Sequence, residues 1–353
     1  MVANKRALHV SRRSLLAGSI GTAALVAVPD LFSARSGTAA LSSNPIHFGI
    51  DAGNYSAFTS DITQGSGGTF ACRSYRDNVI KDPTGVPTVF PGQSGAFNTA
   101  SIRPHPDYFL SSGSHYNDLY QGSAVGPQIE TAINLLIQNG CDTFGAAGLA
   151  PQLSVWHEAG NLYGSGTDSN GDQWGVYLTA SKVRSMHVKM QNMVNAINAL
   201  SKNAGRGVGY GAIWYGDGSG TNGPWGTGQG GPWWPTSQGG TGNPDLDWYG
   251  YDVYDDSNYD LSDSTKVNSY MNSVLTGIKN NTNYTAPRIV VAECNSITEA
   301  NRYWFYRNLA QWLFNNGGKR MEMFYKCGHK SGCYSAETSN TKTAWQYIQN
   351  NYT

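Results

Sequence analysis

The sequence predicts an α/β protein whose catalytic part is one (β/α)8 TIM barrel. Three observations carry this. Short β-rich apolar runs alternate with helical stretches over most of the chain, the alternation that calls for a parallel sheet. Eight such runs fall within about 300 residues, which suits a barrel with insertions. The first run continues Gly49-Ile50-Asp51-Ala52-Gly53, which does not match the glycine fingerprint an open doubly wound sheet usually carries there.

Residues 1–40 read as a signal peptide and are set aside from fold reasoning. Met1–Arg13 is basic, Leu15–Val28 is apolar, and Thr38-Ala39-Ala40 supplies small residues for cleavage. Ser11-Arg12-Arg13-Ser14-Leu15-Leu16 resembles a twin-arginine export signal. The expectation is therefore a secreted bacterial protein, extracellular and monomeric. The apolar stretch is short and broken by Gly18 and Gly21, and no later stretch reaches about 18 apolar residues, so no membrane association is expected after its removal.

Residues 41–353 form the expected barrel domain. Its strands are read at 46–51, 69–73, 100–103, 153–156, 208–214, 246–253, 288–292 and 320–324. Ile129–Gln138 has helical spacing and stops before Asn139-Gly140. Ser181–Leu200 places Val183, Met186, Met190, Met193, Val194 and Ile197 on one helical face. Further helices are read at 264–278 and 299–314, with a closing helix around Trp345–Ile348.

Composition narrows the partner. Lys and Arg total 24 against 24 Asp and Glu, charged residues make up 14%, and 43 residues are glycine. There is no basic run for nucleic acid. Removing 1–40 takes away Lys5, Arg6, Arg12, Arg13 and Arg35 but only Asp30, leaving a mildly acidic chain. A surface built from Gly, Ser, Thr, Asn, Tyr and Trp suits a neutral, hydroxyl-rich ligand, so the expected partner is a polysaccharide or oligosaccharide.

The chemistry points the same way. Outside the signal the glutamates are Glu130, Glu158, Glu293, Glu299, Glu322 and Glu337. Glu158 and Glu293 alone fall at the carboxyl ends of apolar strands, the fourth and seventh. In a barrel those ends form the active-site face. Two carboxylates flanking one cleft are what glycosidic cleavage requires: one donates a proton to the leaving oxygen, the other attacks or stabilises the sugar cation. The competing reading pairs each glutamate with a buried arginine such as Arg73 or Arg103.

Trp156-His157-Glu158-Ala159-Gly160-Asn161, Asp247-Trp248-Tyr249-Gly250-Tyr251-Asp252-Val253-Tyr254 and Val290-Val291-Ala292-Glu293 together resemble clan A glycoside hydrolases. The nearest likeness is to family 26, which includes β-mannanases. A histidine precedes the acid/base glutamate in that family, and His157 fits this. Ala159-Gly160 departs from the family's Met-Asn, and Leu162-Tyr163-Gly164 replaces its tryptophan-rich stretch. The resemblance implies a retaining endo-glycosidase acting by double displacement on mannan or a related β-glycan, without cofactor or metal. It makes Glu158 the acid/base and Glu293 the nucleophile. A non-catalytic carbohydrate-binding or cell-surface protein on the same barrel is the alternative.

Further substrate-binding candidates are His157, Asn161, Arg73, Arg103, Asp252 and Tyr254, the last also placed to donate its hydroxyl to Glu293. Trp214, Trp233, Trp234 and Trp248 are candidate sugar platforms. Trp225, Trp233 and Trp234 lie in the Gly/Pro/Thr-rich segment 216–243, read as a loop with no core to pack and hence as a subsite wall. Asp168-Ser-Asn170-Gly-Asp172 and Asp256-Ser-Asn258-Tyr-Asp260 have the alternation of calcium loops, but turn chemistry explains them better. Cys327 and Cys333 are expected to pair as a disulfide. A zinc site with His329 lacks a fourth ligand.

Overall fold

In the computed structural model, the chain is described over residues 47–52, 70–77, 97–103, 152–155, 157–159, 179–200, 207–221, 223–228, 230–284, 289–318, 320–325 and 339–352. The signal segment, the helix read at 129–138, the 168–172 loop and Cys327, His329 and Cys333 lie outside these residues.

Eight strands form a closed barrel in chain order: β1 (His47–Ala52), β2 (Phe70–Asp77), β3 (Phe97–Arg103), β4 (Gln152–Val155), β5 (Gly209–Tyr215), β6 (Trp248–Asp255), β7 (Ile289–Ser296) and β8 (Arg320–Tyr325). Neighbours pair in parallel, and β1 pairs with both β2 and β8, which closes the ring. An open doubly wound sheet is thereby excluded. Around it lie α1 (Ala180–Asn198), α2 (Ser264–Asn281), α3 (Glu299–Asn315) and α4 (Ser339–Tyr352).

The helices form where polar caps meet apolar periodicity. Thr179 Oγ1 accepts from Lys182 N at 3.3 Å and Asp263 Oδ1 from Lys266 N at 2.9 Å, satisfying orphan amides of the first turns of α1 and α2. On α1 the buried residues Val183, Met186, Met190, Val194 and Ile197 recur at three- and four-residue steps, so one stripe faces the sheet. Burying each contributes roughly 1.5–3 kcal/mol.

Among the described side chains, the barrel interior holds a separate cluster of Ile213, Trp248, Val290 and Ala292. Trp248 reaches across β5, its indole N–H donating to the Gly209 carbonyl at 3.0 Å. Gly211 makes room for it, since a Cβ there would lie 2.1 Å from the indole ring. Arg320 and Gln152, the first residues of β8 and β4, join through an Nη1 to Oε1 hydrogen bond of 2.8 Å, bonding two strands on opposite sides of the ring.

One connection is unusual. Among the described residues between β5 and β6, the regular structure is a single 3-10 turn, Gln238–Gly240. The outer face of β6 (Tyr249, Tyr251, Val253) still needs an apolar cover, and the tryptophans of the connection supply it. Trp234 packs on Tyr249 and Tyr251 at ring-centroid distances of 5.6 and 5.5 Å, and Trp225 on Tyr249 at 5.7 Å. The Pro224 carbonyl accepts from both Trp233 N (2.7 Å) and Trp234 N (2.9 Å). The expectation of a subsite wall is corrected: Trp233 and Trp234 are each 1% exposed and form core.

Candidate active site

The site is assembled by β4, β5, β6 and β7 at their carboxyl ends. Past β4 the chain makes a tight turn, His157–Ala159, tied to the neighbouring strand by the Glu158 amide donating to Ile213 O at 3.2 Å. Glu158 has φ 53°. That left-handed backbone costs roughly 1–2 kcal/mol in a non-glycine residue and persists where surrounding structure overdetermines it. The turn leaves Glu158 half-exposed while His157 is buried.

Glu293 reaches the same place through a register change. Tyr251 pairs with Val291, but the next residue, Asp252, pairs with Glu293. Ala292 is therefore an extra residue, a β-bulge. Side chains alternate along a strand. Without the bulge Glu293 would fall on the same side as Val291, which packs in the outer cluster under the helices. With it, Ala292 packs inside the barrel and Glu293 turns to the cleft beside Asp252. β7 also runs on past Glu293 through Cys294, Asn295 and Ser296, all buried, so Glu293 sits within the strand rather than at its end.

The polar contacts there are specific. The Tyr254 hydroxyl donates to Glu293 Oε2 at 2.5 Å. Glu293 Oε1 lies 3.7 Å from His157 Nε2. The same Nε2 hydrogen-bonds Asp252 Oδ2, and Asp252 is fully buried. Asp252 is thus corrected from a sugar contact to a residue that orients His157. His157, Glu158 and Asp252 present ligand-type atoms within 4.8 Å of one another, a set a cation could in principle use. The direct His157–Asp252 hydrogen bond, however, holds those two atoms closer than two ligands of one tetrahedral ion.

The aromatic expectations divide. Trp214, on β5, is 8% exposed and turns outward, its ring 6.1 Å from Trp233 and 6.2 Å from Trp234. Trp248 is wholly enclosed in the barrel. Neither offers a free face, and both are corrected to packing roles. A further aromatic near the carboxylates is Tyr215, the last residue of β5 and the ladder partner of Asp252. It is half-buried, with its ring 6.2 Å from Tyr254 and its hydroxyl donating to Asp256 Oδ2 at 2.9 Å. Sequence reading missed it in favour of its larger neighbour. Strand alternation carried the signal, because Ile213 and Tyr215 share a face and Trp214 takes the other.

Arg73 pairs with Asp51 on β1 and Thr99 on β3, and Arg103 ends β3 opposite Asp77. The structure describes their strand positions and not their side chains. Trp156 and Asn161 lie outside the described residues. Asp256 acts as a turn acceptor, its Oδ1 taking Asn258 N at 2.7 Å and Tyr259 N at 3.1 Å. Asp260 likewise accepts from Ser262 N at 3.2 Å. Glu299 is held by Arg302 at 2.7 Å in the first turn of α3.

The described residues make a (β/α)8 barrel with Glu158 just past β4 and Glu293 near the end of β7. No protein-family model matches the chain, and curated protein sequences return no match. The chain is similar to several solved structures. A modular endo-β-1,4-mannanase of glycoside hydrolase family 26 from Cellulomonas fimi is 12% identical, over 86% of this chain and 70% of that one, with a TM-score of 0.49. A family 26 β-mannanase from Bacteroides ovatus is 12% identical over 87% and 88%, with a TM-score of 0.48. An endo-1,4-β-mannanase from Rhizomucor miehei is 11% identical over 88% and 96%, with a TM-score of 0.49.

Proposed function

We propose that the chain is an exported, retaining endo-glycosidase that cleaves a neutral β-linked polysaccharide, with Glu293 as nucleophile and Glu158 as acid/base. The observation that carries this is the contrast between two glutamates gathered around one buried histidine. Glu293 is 8% exposed and anchored by Tyr254, whereas Glu158 is half-buried, less enclosed than Glu293. A fixed carboxylate stabilised by a donated hydrogen bond suits attack on the anomeric carbon. An open one suits proton exchange with the leaving oxygen and then with water.

In the first step Glu293 displaces the leaving sugar while Glu158 gives that oxygen its proton. In the second, Glu158 takes a proton from water as it attacks the glycosyl–Glu293 ester, restoring the original anomeric configuration. His157, fixed by Asp252, holds an N–H edge beside Glu293 and positions the pair. Mannan or a related β-glycan is the substrate class suggested by the sequence resemblance.

The test is a panel of galactomannan, glucomannan, β-1,4-glucan, mixed-linkage β-glucan and xylan, with product sizing and NMR of the anomer first released. Internal cleavage with retention is expected on one of them. Inverted product overturns the double displacement. Binding without release of reducing ends returns the chain to the carbohydrate-binding alternative.

A further inference from the structure

A second feature lies on the outside of the barrel, between α2 and α3. Both helices follow barrel strands and so run parallel. The Trp312 indole N–H donates to Asn272 Oδ1 at 3.1 Å, which sets their relative level. Alongside this bond runs a groove of about 470 Å³ lined by Ser264, Asn268, Asn272, Asn308, Gln311 and Asn315, with no charged side chain among its lining residues. Asn268, Gln311 and Asn315 are exposed and Asn308 half-buried. Hydrogen bonds within the described residues do not consume these four amides.

Trp304 stands one helical turn before Asn308 on the same stripe of α3. It is 51% exposed, on a helix whose other large apolar residues are mostly buried. Its ring is braced, with Tyr303 at 5.0 Å edge-on and the Arg307 guanidinium 5.3 Å from its centroid. By the Asn272–Trp312 level, Trp304 stands at the height of Ser264, which lines one end of the groove.

We propose that this groove is a second carbohydrate-binding site, which holds a neutral polysaccharide chain on the flank of the barrel with Trp304 as its stacking platform. Each sugar hydroxyl is both donor and acceptor, as is each carboxamide, so a row of uncharged amides can serve successive residues of the polymer. A polyanion finds no cation among the residues lining the groove, and the one guanidinium nearby, Arg307, is engaged by the Trp304 and Tyr347 rings. An apolar segment finds one exposed ring and otherwise amides whose desolvation it cannot repay. The indole supplies the apolar surface that the C–H face of a sugar ring covers. The inference rests on the polysaccharide reading of the active site and extends it to a site that anchors the polymer without cutting it.

The test is affinity electrophoresis of the full-length protein in native gels containing galactomannan, glucomannan or mixed-linkage β-glucan, with polygalacturonate as the charged control. The intact protein is expected to be retarded by at least one neutral polymer and not by the polyanion. Trp304→Ala combined with Asn308→Ala should weaken that retardation at least fivefold, leaving turnover of a short aryl glycoside and the Tm unchanged. Gln311→Glu, at an exposed position that folding does not need, should weaken retardation two- to fivefold by placing a charge in the groove. Equal retardation of intact protein and variants overturns the site, as does no retardation by any neutral polymer. The two readings fail separately. Trp304-dependent retardation without hydrolysis sinks the glycosidase and leaves the groove standing. Hydrolysis with Trp304-independent retardation does the reverse.

Discussion

Asp252 and Glu293 are direct partners across the β6–β7 ladder, yet their surroundings differ. Asp252 is wholly buried and hydrogen-bonds His157. Glu293 binds the Tyr254 hydroxyl through one oxygen and turns the other toward the same imidazole at 3.7 Å. Two adjacent carboxylates repel each other unless donors separate their charge. Here a tyrosine and a histidine supply those donors, which leaves one carboxylate structural and the other available.

Tyr254→Phe removes one donor with almost no change of volume. A hydrogen bond to a charged group is worth about 1.5–3 kcal/mol, so kcat should fall roughly 10–100-fold. KM and Tm should barely move, because the ring still packs. Steady-state kinetics on the best polymer checks this, and an unchanged kcat removes Tyr254 from the site.

The two glutamates should fail differently when removed. Glu293→Ala should abolish turnover on every substrate, with azide restoring activity and giving an inverted product. Glu158→Ala should cripple polymer cleavage but spare the first step on an activated aryl glycoside, whose leaving group departs without a proton. Azide should then yield a product of retained configuration. Exchanged behaviours reverse the roles, and wild-type activity in both variants places the site elsewhere.

Trp233→Ala and Trp234→Ala are predicted to act on stability. Each ring is buried against the outer face of β5–β6, and replacing such a tryptophan by alanine costs roughly 3–5 kcal/mol. Denaturant titration should show a lower midpoint for either variant. A variant as stable as the parent, with weakened polymer binding, would reinstate the cleft role.

A pH effect follows from His187. It lies on the buried face of α1 with its Nδ1 2.7 Å from the Tyr210 hydroxyl, and burial lowers its pKa from 6.5 to about 3. Between these values the unfolded chain binds a proton that the folded one refuses, so stability is full above about pH 6.5 and is lost as pH falls toward 3. His187→Gln should flatten the dependence of unfolding free energy on pH in that window. An unaltered acid limb would show that His187 is not its source.

The sequence by itself determined the order of the elements and singled out the two glutamates as candidates. Period-two runs bounded by turns, and the 3.6-residue stripe of Val183, Met186, Met190, Val194 and Ile197, are local patterns, and local patterns survive without knowledge of neighbours. Glu158 and Glu293 were legible because a carboxylate following an apolar run is conspicuous. What only the tertiary structure decided were the properties that depend on partners. Which side of β7 Glu293 takes depends on the Ala292 bulge, a register shift between two strands that Val-Val-Ala-Glu-Cys does not display. Whether Asp252 meets sugar or His157 depends on a turn 95 residues away in sequence. The tryptophans of 216–243 read as a wall because nothing local offered them a core. The barrel did, since the β5–β6 connection covers its strands with aromatic rings, and burial is a property of what lies opposite a side chain rather than of the side chain alone.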